Sequence, residues 1–218
     1  MKKISMQVKL IVPLLALIFY PLQAAEAPVS ISFPPPKIIG TPVPIKVPNL
    51  EKPGKQPTII APAGTVNLAA NKKVTSSDAA PIIGDLSCVT DGDKLSDDGY
   101  FVELAEGKQW VQIDLGKSSP LYGIVLWHYH GQQRVYFNVV VQVSDDEDFL
   151  TNVKTVFNND RDNSLGLGAG TNLSYIDTNE GKVIPLNKIS GRYVRLFSKG
   201  NTSNAANHYI EVEVYGTP

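Results

Sequence analysis

The sequence predicts an all-β domain, a sandwich or jelly roll of about eight short strands, behind a secretion signal and a proline-rich linker. Three observations lead there. From residue 66 onward, short runs rich in Val, Ile, Tyr and Trp recur between Gly, Asn and Asp clusters, and no segment carries a helical period. Ten of the sixteen prolines fall between Pro28 and Pro62. The first residues have the layered composition of an export signal, so the 218-residue chain divides into three unlike parts, 1–25, 26–65 and 66–218.

In the first part Lys2, Lys3 and Lys9 precede an apolar run over residues 10–20, and the small residues Ala24, Ala25 and Ala27 follow. That is the three-part layout of a secretory signal peptide, with cleavage expected after Ala24 or Ala25. The run is interrupted by Pro13 and falls short of the roughly 20 residues a spanning helix needs, so no transmembrane helix is expected after cleavage. The expected location is secreted or periplasmic. The single cysteine, Cys88, cannot form an internal disulfide, so the fold must be held by its core.

Residues 26–65 read as a disordered, polyproline-II-like spacer. Proline every few residues removes backbone donors and keeps the preceding residue extended. At about 3.1 Å per residue such a segment reaches on the order of 100 Å. Its Val and Ile residues, alternating with Pro and Lys, leave a second reading open, in which it docks along a partner as edge strands. Charge divides in the same place: up to residue 65 seven lysines face Glu26 and Glu51, whereas beyond it thirteen Lys and Arg face nineteen Asp and Glu. An acidic domain repels phosphates, which excludes nucleic acid as the expected partner.

In the third part strands are expected over residues 110–115, 123–129, 136–143, 154–157, 193–197 and 209–215. In the 136–143 run Tyr136, Asn138, Val140 and Gln142 alternate with Phe137, Val139, Val141 and Val143, which places the second set on one buried face, and Val194 and Leu196 alternate likewise with Tyr193, Arg195 and Phe197. About 150 residues bury roughly 68–70% of their unfolded surface, enough for a core without cross-links.

Five stretches in order carry a resemblance: Trp110-Val111-Gln112-Ile113-Asp114-Leu115-Gly116, Gly123-Ile124, Val143-Ser144-Asp145-Asp146, Gly191-Arg192-Tyr193-Val194-Arg195-Leu196, and Ile210-Glu211-Val212-Glu213-Val214-Tyr215-Gly216. With Asn67-Leu68-Ala69 and Val89-Thr90-Asp91-Gly92 before them, residues 66–217 resemble a discoidin-like domain, the coagulation-factor type C or galactose-binding-like family, and are similar to carbohydrate-binding module family 32. The resemblance implies an eight-stranded galactose-binding-like jelly roll, usually a non-catalytic module for glycans and in other branches for lipids or proteins. It also implies a structural Ca2+, held by the side chains of Asp91 and Glu211 with carbonyls from Cys88, Asp93 and Ile210, and it leaves the family's later hydroxyl ligand without a clear counterpart in residues 95–101.

Sugar recognition needs an aromatic face and a few planar or charged groups for hydroxyls. Residues 127–134 supply both types, with His128, Tyr129, His130 and Arg134 as candidate ligand contacts and Trp127 assigned to the core. The polar loop before the last strand adds Asn207 and His208. The insertion at residues 158–170 imitates the start of a calcium loop through Asn158, Asp160 and Asp162, but Asn163 and Ala169 stand where that loop needs Gly and Glu, so it is read as a variable recognition loop. Asp145, Asp146, Glu147 and Asp148 are adjacent in a turn and cannot face each other across a cleft as glycosidase carboxylates do, and no nucleophile motif is present. The expectation is an exported non-catalytic module for a glycan or glycoconjugate. Its alternative is a structural or protein-interaction module whose partner is an envelope or extracellular protein.

Overall fold

The computed structural model describes residues 25–218, so the secretion signal read over residues 1–25 lies, except for Ala25, outside the described residues. Eleven strands follow in order: β1 (Glu26–Pro28), β2 (Ile60–Pro62), β3 (Val66–Asn67), β4 (Val74–Ser76), β5 (Val102–Leu104), β6 (Gln109–Trp127), β7 (Val140–Ser144), β8 (Lys154–Asn158), β9 (Lys182–Ser198), β10 (Asn207–Tyr209) and β11 (Glu211–Gly216). A 3-10 turn at Leu86–Thr90 separates β4 from β5. The all-β class and sandwich architecture expected from the sequence are what the chain adopts.

Two long strands organise it. β6 and β9 pair antiparallel from Gln109↔Ser198 to Leu126↔Lys182, with breaks in register after Asp114 and after Leu121. Gly116 lies at the first break with φ +91°, a conformation glycine reaches without steric cost, and its N–H donates to Asp114 Oδ1 (2.8 Å). The strand therefore turns without ending. Its first part pairs with β4 and its second with β11, giving a seven-stranded sheet in the order β3-β11-β6-β9-β7-β8 with β4 beside β6. The stretches 110–115 and 123–129, expected as separate strands, are thus largely one. The strand expected over 136–143 starts only at Val140, because Asn138 has φ +54°, and Phe137 consequently turns outward instead of sharing the buried face.

Ile113, Ile124, Leu126, Val141, Val143, Val194, Leu196, Val212 and Val214 are fully buried in one cluster. Burying each such side chain stabilises by about 1.5–3 kcal/mol. The second part of β6 is covered on its other side as well: Val125 and Trp127 belong to a separate cluster with Phe101, Tyr122, Val183, Ile210 and Tyr215. The residues that close this cluster, Ile59 and Ala61, with Val29 and Ile31 against them, come from the segment expected to be a spacer.

That segment is not a disordered spacer in the structure. β1 and β2 pair antiparallel through Ala27↔Ala61, and Val29 N–H donates to Ile59 O (2.9 Å). Phe33 then lies against Trp127 with ring centroids 6.4 Å apart, Asn179 Nδ2 donates to Pro34 O (2.8 Å), and Ile39 N–H donates to Gly131 O (2.6 Å). The chain returns through Glu51 N–H to Ser174 O (2.7 Å) and an ion pair of Glu51 with Lys182. Of the two readings left open, docking as edge strands is nearer to what occurs, with the chain's own domain as the docking surface. Proline suits such edges, which need few ladder donors. The apolar outer face of β6 and β11 supplies the driving force that composition does not reveal.

Gly123 shows how closely the arm is seated: a Cβ there would stand 2.3 Å from Ile59 Cδ1. Ile59→Ala is expected to cost about 2–5 kcal/mol in urea unfolding of the chain from residue 26 onward. A detached arm would leave the midpoint unchanged.

Candidate functional site

The segment after β6 crosses one end of the sandwich and carries most of the residues singled out above. Arg134 lays its guanidinium 4.6 Å over the Tyr129 ring, whose edge meets Phe101 at 5.2 Å. His208, on β10, lies 6.0 Å from Tyr129 and joins two elements: its Nδ1 is 2.9 Å from Tyr136 Oη and its Nε2 3.0 Å from Glu103 Oε2 on β5. Burial, with the charges of Arg134 and His128 adding, pushes the His208 pKa down to about 4. A neutral ring protonated on Nε2 satisfies both contacts, donating to Glu103 and accepting from Tyr136. Burial likewise lowers the pKa of His130, whose Nε2 is 3.0 Å from Lys94 O.

Tyr129, Arg134 and His208 therefore converge, although 74 residues separate Arg134 from His208. Arg134 Nη2 donates to Gln132 Oε1 (3.0 Å), while its Nε and Nη1 are buried without a partner. A buried guanidinium with free N–H groups is costly unless something accepts from it. Tyr129 itself is not the open stacking face expected, since Arg134 covers the ring and leaves it 8% exposed.

Two expected contacts are corrected. Asn207 is fully buried with every amide position used inside the chain: Oδ1 accepts from Ser198 Oγ (2.8 Å) and Gly200 N–H (2.9 Å), and Nδ2 donates to Ala105 O (2.8 Å) and Gly107 O (3.0 Å). It fastens the loop before β10 to the turn before β6. His128 is fully buried, stacked 4.1 Å from Tyr136, with Nδ1 3.2 Å from Asp177 Oδ1, so it supports the site from beneath. Glu103, Tyr136 and Asp177 went unnoticed in the sequence because each lies on a different element. Only the chain's topology brings them together, and no local pattern marks them.

The loop before β10 is preorganised. Asn201 Nδ2 donates to Asn204 Oδ1 (2.7 Å) and Ala206 O (2.9 Å), its Oδ1 accepts from Ser203 N–H (2.8 Å), and Thr202 and Ser203 are left exposed. The insertion at 158–170 is tied down differently. Its buried Asp160 accepts from Leu165 N–H (2.8 Å) and Ser164 N–H (3.1 Å), and Leu165 seats beside Val140 and Phe197. The calcium-loop imitation is a carboxylate closing its own turn. Asp146 does the same after β7, accepting from Asp148, Leu150 and Thr151 N–H groups.

The proposed metal position lies at the start of β11. Glu213 has both oxygens engaged, by Lys94 Nζ (2.7 Å) and Tyr215 Oη (2.8 Å). Glu211 has not: Oε2 accepts Gly92 N–H (3.1 Å), and Oε1 is buried without a partner. Burial pushes its pKa up to about 9, with the charges of Glu213 and Asp91 adding. Asp91 and Asp93 each give one oxygen to a turn, accepting from Asp93 N–H and Leu95 N–H (2.8 and 2.9 Å). Among the described residues no three His, Cys, Asp or Glu side chains gather for a metal, so a cation here would depend on backbone carbonyls. A buried carboxylate oxygen left without a partner is of the donor type that a hard cation such as calcium takes. Ser96, in the stretch where no hydroxyl ligand was expected, is buried with its Oγ unpartnered but lies against Gly131.

The F5/8 type C domain family matches residues 72–212, and the chain belongs to it. Among solved structures the chain is similar to chitosan-binding module 1 from the chitosanase/glucanase of Paenibacillus sp. IK-5, with 27% identity over 69% of this chain and 99% of that one and a TM-score of 0.50. It shares its fold with the fucose binding module SpX-3 of Streptococcus pneumoniae (19% identity, 70% and 99% covered, TM-score 0.50). The same holds for a part of the family 89 glycoside hydrolase of Clostridium perfringens (17% identity, 70% and 15% covered, TM-score 0.52). No curated protein matches the chain.

Without a bound cation the raised pKa of Glu211 has a defined consequence. Between the unfolded value near 4.5 and the folded value of about 9, the folded state holds the extra proton, so stability falls as pH rises through that window. Thermal unfolding in chelator is expected to show Tm decreasing from pH 5 to 9, by roughly 2–4 °C per kcal/mol lost. Glu211→Gln should flatten that dependence, and added calcium should reverse it in the wild type only.

Proposed function

We propose that this protein is an exported, non-catalytic carbohydrate-binding module that holds a glycan at the end of the sandwich where Tyr129, Arg134 and His208 meet. The observation that carries the reading is the Arg134 guanidinium: it is clamped on Tyr129 and pointed by Gln132, yet keeps two buried nitrogens without acceptors. Sugar hydroxyls are acceptors of the right kind, and a hydrogen bond from a charged donor contributes about 1.5–3 kcal/mol. Membership of the F5/8 type C family and the likeness to a chitosan-binding module support the same class. His208, whose two ring nitrogens meet Tyr136 and Glu103, positions those contacts from within the fold, and His130 keeps Nδ1 without a partner. Cys88, Asp91, Asp93, Ile210 and Glu211 would hold a calcium ion whose part is to fix the loop beneath the site.

No catalytic role is assigned. The acidic turn after β7 uses Asp146 to bind its own backbone, and the histidine–carboxylate pairs are buried beneath the loops. The second reading, a protein-interaction module, has the exposed Ile38, Ile39 and Val43 of the arm in its favour. Among the described residues no helix is long and apolar enough to cross a membrane.

The test is a broad glycan array probed with the chain from residue 26 onward, with and without chelator, beside Arg134→Ala. Wild-type binding that weakens about 10- to 100-fold in the variant is the expected outcome, matching the loss of one charged hydrogen bond. A folded protein that binds no glycan would overturn the reading in favour of a protein partner.

A further inference from the structure

We propose that the tip of the N-terminal arm is one wall of a saccharide cleft, so that the arm helps to select what the domain binds. This deepens the carbohydrate reading and rests on it. A cavity of about 580 Å³ lies between the arm and the loops at the Arg134 end. Pro42, Val43 and Lys46 line it on the arm side, and Gln132, Thr202 and Ser203 on the domain side. Its size falls within the roughly 300–1,000 Å³ of small-molecule sites. The F5/8 type C match begins at residue 72, so this wall lies outside the family domain.

Both feet of the tip are fastened. Before it, Lys37 pairs with Asp97 and Ile39 N–H donates to Gly131 O (2.6 Å); after it, Ser174 N–H donates to Asn49 O (3.0 Å). The chain turns at each foot through a left-handed residue, Gly40 (φ +82°) and Asn49 (φ +55°). Between them Pro42, Pro44 and Pro48 restrict the backbone, so the wall loses little conformational freedom when a ligand arrives.

The two walls differ in chemistry. The arm offers Pro and Val surface, which suits the apolar face of a sugar ring. The domain offers the amide of Gln132 and the exposed hydroxyl of Ser203, which suit ring hydroxyls. Gln132 also accepts from Arg134 Nη2, so the cleft shares a lining residue with the Arg134 cluster. Lys46 is the only charged side chain in the lining, which favours a neutral or acidic saccharide over a basic one.

The experiment uses the chain from residue 26 onward on an array of neutral, acidic and basic oligosaccharides, then titration calorimetry with the tightest binder. Val43→Trp fills the cleft from the arm and Ser203→Trp from the domain. Val43 is 70% exposed, so neither fold nor Tm should change. Leu150→Trp, on an 81% exposed residue outside the lining, is the control. Expected are a neutral or acidic binder, about tenfold or greater weakening in both wall variants, and no change in the control. If both variants bind like wild type while Arg134→Ala abolishes binding, the arm is not a wall and the carbohydrate reading survives. Binding restricted to basic saccharides overturns the cleft as assigned, and a blank array overturns both.

Discussion

The structure depends on one constraint: the second part of β6 is apolar on both of its faces. A strand of that kind must be covered twice, and the jelly roll covers it once, through Ile124 and Leu126. The outer side, with Val125 and Trp127, is left to whatever the chain can bring back over it. The proline-rich arm meets that need with Ile59 and Ala61, and the rest of its course follows. Because Trp127 marks the point where β6 runs into the loop end, an arm that must reach Phe33 to Trp127 is carried on to the residues beside Arg134.

Much of this was legible in the sequence. Strand class and the burial of Trp127 follow from composition and period, which report on local geometry. The arm's docking was not legible, because proline density is common to spacers and to edge segments. The signal that separates them lies elsewhere in the chain, in the unbroken apolar run over residues 121–127, where a half-exposed strand would alternate. The site divides in the same way. Residues 127–134 announce themselves by their types, but Asn207 has its amide fully used within the fold and His128 is buried against Tyr136 and Asp177, and residue type cannot distinguish a ligand contact from a structural staple. Nor can it locate Glu103 or Asp177, which reach the cluster only through strand pairing and loop closure.

The loop end is unusual in how much polarity it buries. Asn207, His128, Asp177 and His208 are all nearly inaccessible; Asn207 and His208 have every side-chain position engaged within the fold, while His128 and Asp177 meet through one atom each. The contacts of Asn207 and His208 hold the Gly200 turn, β5 and β10 in fixed relation. Against that background the buried atoms left without a partner stand out: His128 Nε2, His130 Nδ1 and Asp177 Oδ2 within this end, and two nitrogens of Arg134 and one oxygen of Glu211, where a formal charge is involved. Arg134 lacks acceptors and Glu211 lacks a cation or proton, so the end that is stiffened by buried polar contacts is also where the fold by itself leaves charged groups unmet.

The β1–β2 pairing has a further consequence for how the molecule is oriented. It brings Ala27 and Pro28 beside Tyr215, near the last residues of β11, while the Trp127 end of the same ladder carries the loops. Both ends of the described chain therefore emerge on the side away from the cleft. A surface or neighbouring domain joined through either terminus would face the rear of the module, leaving the opposite pole directed outward, and several copies fixed in that way would present their clefts in parallel.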